Sequence, residues 1–357
     1  GEDYLFYKGF PLDVALLRGT VADEDGNITF DHESVMNEGL SVAMAAKNTG
    51  GIVIVQVEYL AQRGTLDPKK VQIPGIMVDY VVQATEKDCC WQTEGVYYEP
   101  AFSGQIKKPL DQLPVLDLSP RKVICRRCAQ ELAPGSICNL GVGIPADVAS
   151  IVAEEGQLDK ITITAEAGGV GGVPEALPNF GSNYNAQAIM RHNDMFDFID
   201  GGGLDITVLG LAEADSEGNL NVSKFGNRLS GPGGFIDITQ SAKKVVFAGT
   251  FMAHAKEEIA DGALKIVEEG TAEKFVEHVQ QVTFSGKYAG KDQTVLYVTE
   301  RAVFQLIDGV VTLIEVAPGI DVEKDVIAHM GFTPAVSDDL KTMDAALFQE
   351  KWGGLSV

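Results

Sequence analysis

Two stretches of this chain spell almost the same thing. DVALLRGTVADEDGNIT, from Asp13, aligns without a gap on DITVLGLAEADSEGNLN, from Asp205, with six of seventeen positions identical and four more exchanged like for like. Downstream, the apolar run GGIVIVQVEYL from Gly50 faces AKKVVFAGTFM from Ala242, and both are runs of the kind that become buried strands. The offset from Asp13 to Asp205 is 192 residues. Solenoid units recur every ~20–50 residues, so this repeat specifies two related domains in tandem instead.

The acidic core of the repeat, ADEDGN from Ala22 and ADSEGN from Ala214, invites a calcium reading. An EF-hand loop needs glycine at its sixth position and glutamate at its twelfth. Counting from Gly26 and Gly218, the twelfth positions are His32 and Lys224, so neither copy qualifies. Asp, Gly and Asn there suit a solvated turn, through side-chain capping and positive φ.

The repeat is unequal at its front. The second copy has 86 residues between Ser119 and Asp205, the first only 12 before Asp13. The expectation is that the first half of the first domain is absent from this chain.

With 357 residues and 45% hydrophobic content, the chain can bury one or two substantial cores. A formal net charge of −23 argues against nucleic acid and anionic membranes as partners, since both select basic patches. No apolar run approaches the roughly 20 residues of a membrane helix, and the expected location is cytoplasmic. Five cysteines give little support for a disulfide framework. The pair in CRRC, Cys125 and Cys128, sits in a stretch that Ser119 caps and Pro120 opens as a helix. Without a second C-x-x-C, these read as small buried thiols, not as zinc ligands or a redox pair.

Strand and helix patterns alternate along the chain, which gives an α/β fold with two related open, mostly parallel sheets in tandem, the first incomplete. Residues 1–83 read as strand, helix over HESVMNEGLSVAMAAKNTG, and strand; residues 84–118 as a linker; residues 119–357 as the second domain. In DKITITAEAGGVGGVP, Glu166 is the last residue of a strand, followed by glycines. Ligands of open α/β sheets bind at the carboxyl ends of strands, so this carboxylate is either chemical or a turn cap. A rival is the G-x-G-x-x-[GA] match at Gly141, Gly143 and Ala146, but Pro145 offers no amide to a pyrophosphate. A third loop, LSGPGGFIDITQ, carries Gly231, Gly233 and Gly234, whose amides suit either an oxyanion or a tight turn. There is no G-x-S-x-G elbow. His32, His192, His254, His278 and His329 fall in no metal or triad spacing, and read as surface or core.

Taken in order, RGTVADEDGN, NLGVGIP, TAEAGGVGGVP, FDFIDGGGLDITVLGLAEAD, GNLNVSKFG, GPGGFIDITQSAKKVVFAGTF, YVTERAVFQL and EVAPGID resemble the class I coenzyme A transferases, in their short-chain acyl-CoA:acetate and propionate branch. The resemblance implies two α/β domains with the active site at their junction. It implies Glu166 as nucleophile, Asn139 as active-site asparagine and Gly234 as an oxyanion-binding glycine beside Phe235, with Gly141, Gly143, Gly231 and Gly233 as further oxyanion or CoA contacts. The implied partners are an acyl-CoA and a short-chain carboxylic acid, in a homo-oligomer, with coenzyme A as substrate and no cofactor or metal. The family's first glycine loop and a further oxyanion donor find no match here, so the resemblance also implies that activity requires the absent half-domain, in cis or in trans. An acyl-CoA hydrolase, a nicotinamide oxidoreductase and a non-catalytic effector-binding module on the same sheet stay open as alternatives.

Overall fold

The computed structural model describes residues 2, 4–113, 115–290 and 292–357. Its first sheet is made by β1 (Val14–Asp23), β2 (Ile28–Thr29), β3 (Ile52–Ala61), β4 (Val71–Ile73) and β5 (Tyr80–Gln83), in the order β4-β2-β1-β3-β5. β1, β3 and β5 run parallel, while β2 and β4 add antiparallel. α1 (Gly39–Asn48) crosses between β1 and β3 and buries Ala43 and Ala46 against Ala15, Val53, Val55 and Val57. The sequence placed helix from His32 onward. It begins only at Gly39, because Asn37 takes φ of +47°, outside the right-handed helical region.

The second sheet has ten strands. Its centre is β6 (Ile137–Leu140), β7 (Thr162–Thr164), β10 (Ile206–Gly210), β11 (Lys244–Ala248) and β12 (Thr294–Val298), all parallel, in the order β7-β6-β10-β11-β12. β8 (Gly169–Val170) and β9 (Ala188–Ile189) extend one edge antiparallel. β13 (Ala302–Ile307) and β14 (Val310–Val316) extend the other edge antiparallel, and β15 (Ala335–Thr342) pairs parallel with β14. Parallel strands are thus the middle of the sheet, not its whole width.

Both faces of this sheet are covered, as a parallel sheet requires. On one side α2 (Pro120–Ala129) and α3 (Val148–Glu154) pack Val123, Cys128, Val148 and Ile151 over Val208, Val246 and Leu296. On the other, α4 (His192–Asp200) and α5 (Phe235–Ser241) pack Met195, Ile199 and Ile238 over Leu209, Val245 and Val295. Ser119 caps α2 by accepting from the Lys122 amide, and Cys125 and Cys128 lie fully buried on it. Burial pushes the Cys128 thiol up to about 12, so it stays a protonated packing group.

The repeat holds in three dimensions. Leu16 pairs with Ile54 and Val208 with Val246, so both strands of each pair keep the 192-residue offset. The acidic turns match atom for atom. Asp23 Oδ1 accepts from the amides of Asp25 and Asn27 at 3.0 and 2.9 Å; Asp215 Oδ1 accepts from those of Glu217 and Asn219 at 3.0 and 3.1 Å. Gly26 and Gly218 supply the positive φ, +80° and +73°. In each turn the asparagine reaches onward, Asn27 Oδ1 accepting from Gly75 N at 3.0 Å and Asn219 Oδ1 from Gly286 N at 3.1 Å. A Cβ on Gly75 would lie 2.0 Å from Asp25 O, and one on Gly286 2.2 Å from Glu217 O. The repeated acidic turn is a dock for the glycine that begins a later turn in each unit.

Residues 84–118 do more than connect. Ala101, Phe102 and Leu113 are buried in the second unit's core, with Phe102 packed on Tyr184 at 4.6 Å. Thr93 Oγ1 donates to Asn179 Oδ1 at 2.7 Å, and Lys108 and Asn185 exchange two hydrogen bonds at 2.7 Å each.

Candidate active site

Thr162–Thr164 end β7 two residues before Glu166, so the sequence expectation of a strand-end glutamate is off by one turn. Ala165 to Gly168 close that turn, with Gly168 N donating to Ala165 O at 2.9 Å and Ala165 N to Gly169 O at 2.9 Å. The glycines that follow are there for close approach. A Cβ on Gly168 would meet Met190 O at 2.1 Å and one on Gly172 would meet Tyr184 O at 2.0 Å. Their crowding is reason enough for glycine at these two positions.

Glu166 is half-buried and lies over the start of α5. A Cβ built on Gly234 would stand 2.9 Å from Glu166 Oε2 and 2.6 Å from Phe196 Cζ, so any side chain there would push the carboxylate or the ring aside. Burial pushes the Glu166 carboxyl above the usual carboxylate range, and the nearby His192 opposes that shift. His192 Nδ1 lies 2.9 Å from Glu38 Oε2, and the His192 ring meets Phe196 edge-on at 5.0 Å. The site therefore sits where the first unit's loop before α1 meets the second unit.

Asn139, on β6, is buried beside β7, opposite Thr164 in the ladder, where its Nδ2 donates to Thr164 O at 3.4 Å and its Oδ1 has no partner among the described residues. Gly141 N is already used by Val208 O at 2.9 Å, and a Cβ there would strike Leu209. Gly143 has φ of +88° and gives its carbonyl to Arg121 Nη2 at 2.9 Å. Gly231 N donates to Ser223 O at 3.0 Å, while the amides of Gly233 and Gly234 donate to no acceptor among the described residues. Phe235, the first residue of α5 beside Gly234, turns its ring into the core, stacked on Phe247 at 5.7 Å. Of the expected set, the structure joins Glu166 and Gly234 directly and sets Asn139 on the strand beside the one that leads to Glu166. Sequence reasoning passed over His192, Phe196 and Glu38. The i,i+4 spacing of His192 and Phe196 was visible, but only the fold brings Glu38 to them.

A family profile described as coenzyme A transferase matches residues 1–84 and 122–327. The chain belongs to the class I coenzyme A transferases. The chain is 63% identical, across 100% of its length, to a caffeate CoA-transferase of Acetobacterium woodii, of which it covers 69%. It is 41% identical over 97% of its length to the acetate CoA-transferase YdiF of Escherichia coli K12, covering 65% of that protein. The crystal structure of the acyl-CoA transferase YdiF apoenzyme from Escherichia coli O157:H7 superposes with a TM-score of 0.89 at 41% identity, over 97% of this chain and 65% of that one. The chain thus spans about two thirds of the length of these relatives.

Proposed function

We propose that this protein moves coenzyme A between a short-chain acyl-CoA and a free carboxylic acid, with Glu166 as the covalent nucleophile. The observation that carries the reading is the Glu166 carboxylate itself, half-buried against Gly234 and Phe196 at the junction of the two units. A carboxylate needs no general base to attack, because its ionised form dominates near neutral pH. Glu166 attacks the acyl thioester carbonyl, the C–S bond breaks, and an acyl-glutamyl anhydride and CoA thiolate result. The thiolate then attacks the glutamyl carbonyl, releases the first acid as carboxylate, and leaves a glutamyl-CoA thioester. The acceptor carboxylate reverses both steps and regenerates Glu166, with no net proton change. The Gly233 and Gly234 amides are candidates to receive the oxyanion, and Asn139 to orient the glutamyl carbonyl.

The names of the relatives, caffeate and acetate CoA-transferases, support a small acyl or arylpropenoyl acid as one substrate, the more similar of them favouring the aryl class. We further propose that an additional polypeptide segment, in cis or in trans, completes the first unit, that the assembly is a homo-oligomer, and that it works in the cytoplasm. The exposed apolar face of the first sheet, with Val14 and Leu16 uncovered, supports the segment. Among the described residues no helix is long and apolar enough to cross a membrane.

The test is chemical trapping. Acyl-CoA without acceptor acid should build up the glutamyl-CoA thioester, which hydroxylamine converts to a hydroxamate that peptide mass spectrometry assigns to one residue. Glu166→Gln, nearly isosteric, should abolish adduct and turnover with the fold intact. A hydroxamate on another residue, or turnover retained in Glu166→Gln, would remove Glu166 from the role.

A further inference from the structure

The first residue of α4 touches three parts of the molecule at once. Its backbone amide donates to Asn37 O at 3.1 Å, and its ring nitrogen meets Glu38 Oε2 at 2.9 Å, both on the loop of the first unit just before α1. Asn37 holds φ of +47° to make that approach, a conformation that a non-glycine residue adopts at a cost and keeps only where its surroundings enforce it. One turn further along α4, Phe196 presents its edge or face to the same imidazole at 5.0 Å and 72°. The tip of Phe196 and the carboxylate of Glu166 converge on the space above Gly234. Just before His192, Met190 N donates to Gly168 O at 2.8 Å, two residues past Glu166, so the helix start is tied to the nucleophile's turn as well.

We propose that His192 is a positioning residue for CoA transfer: held by Glu38 of the first unit, it fixes Phe196 against the Glu166 carboxylate and makes the nucleophile's geometry depend on how the two units dock. The inference rests on the transferase reading above. An exposed ion pair contributes little to stability, so the value of this one lies in orientation. With Glu38 gone, the imidazole turns freely, and Phe196 loses the edge-on neighbour that keeps its ring over Gly234. His192 is also the titratable group whose charge acts on Glu166; Glu38 faces it from the first unit, and Asp194 on its own helix is engaged with Asn193. The nearness of His192 therefore favours the ionised, attacking carboxylate.

The experiment compares His192→Gln, Glu38→Gln and His192→Arg with the parent, each in the assembly that shows transfer. Trapping of the Glu166 hydroxamate in the parent comes first and tests the underlying reading alone. Given that adduct, His192→Gln and Glu38→Gln should each lower kcat and the rate of thioester formation about tenfold, with KM for acyl-CoA within about twofold, since a small misplacement of the nucleophile acts on the chemical step. The double variant should be no worse than either single one, because both break one path. The acid limb of kcat/KM should move up by roughly one pH unit or less in His192→Gln and stay in place in His192→Arg, which keeps a cation opposite Glu38. An unchanged kcat and acid limb in His192→Gln, or fully additive losses in the double variant, overturn the inference while leaving Glu166 in its role. Should His192→Gln melt early, Glu38→Gln, which leaves α4 untouched, carries the same comparison.

Discussion

The first and second units share a backbone plan and differ in what covers it. Val14 and Leu16 on β1 are the counterparts of Ile206 and Val208 on β10, at the same register against β3 and β11. Val14 is 51% exposed and Leu16 77%, whereas Ile206 is 3% exposed and Val208 0%. The buried pair lies under α2 and α3 and beside β6; the exposed pair has α1 on the opposite face of its sheet and no strand along its own free edge among the described residues. A run such as VALL, apolar on both faces, is what a parallel strand covered on both sides requires. The composition of β1 therefore suits a cover like the one the second unit has, where helix α2, strand β6, helix α3 and strand β7 enclose the matching residues.

The sharpest way to break this comparison is to place the same charge at the two matching positions. Val208→Asp buries an unpaired carboxylate beneath α2 and should cost about 4 kcal/mol or more, enough to unfold the second unit. Leu16→Asp, at the surface, should change stability by less than about 0.5 kcal/mol. Denaturant titration followed by tryptophan fluorescence and circular dichroism measures both. Adding a polypeptide that completes the first sheet should stabilise the parent and raise turnover, and Leu16→Asp should prevent both effects. Equal costs at the two positions without such a segment would mean that β1 is already covered.

A second difference lies one step past the third parallel strand. β12 leads into Glu300 and Arg301, both fully buried, where the corresponding exit from β5 has Ala84 and Thr85. Both Glu300 oxygens face the Phe251 amide, at 2.9 and 3.0 Å, while Arg301 is engaged by Glu257 and Glu269. Burial pushes the Glu300 carboxyl well up, to about 8, and the neighbouring Glu257 adds to the shift. The folded state then holds a proton that the unfolded chain releases near pH ~4.3. Stability from this group is full below that value and falls as pH rises toward 8. Glu300→Gln removes the dependence. It should match the parent near pH 5 and exceed it by an amount on the order of 2 kcal/mol near pH 8. A variant less stable than the parent at pH 8 would show Glu300 ionised in the fold, and the second unit would lose its distinctive pH response.

What the sequence made legible follows from which interactions are local. Tandem sheets, the crossover helices and the burial of Cys125 and Cys128 came from periodicity, capping and the repeat, all written within short windows. Glu166 was singled out because a strand running into glycines marks a sheet's carboxyl edge, although the strand stops two residues early. The resemblance placed Phe235 beside Gly234 at the site; the fold keeps it next to Gly234 but sends its ring into the core, because a helix start turns neighbouring side chains in different directions. His192 and Glu38 stand 154 positions apart. No pattern in either segment foretells that contact, which depends on the docking of two separately coded units. Phe102 was hidden for a similar reason, in a segment without periodicity whose burial is owed wholly to the core it enters.

The smallest expected difference concerns the feature the units share most closely. In both turns an aspartate gathers two amides and an asparagine passes its Oδ1 to a distant glycine amide, of Gly75 in one unit and of Gly286 in the other. Removing the asparagine side chain strands that amide. A buried donor left without a partner costs about 1–3 kcal/mol, and less where water can reach it. Asn27 is half-buried and Asn219 buried, so Asn27→Ala should cost about 1 kcal/mol and Asn219→Ala about 2 kcal/mol. Hydrogen exchange resolves this better than global unfolding, since each turn opens locally. Exchange at Gly75 should quicken about fivefold in Asn27→Ala, and exchange at Gly286 about thirtyfold in Asn219→Ala, with each unit's other turn unaffected. Equal acceleration in both would show that burial of the second unit does not reach its turn. If Gly75 kept its protection without Asn27, the match between the two turns would be one of shape alone, with the first held by its backbone and the second by its side chain.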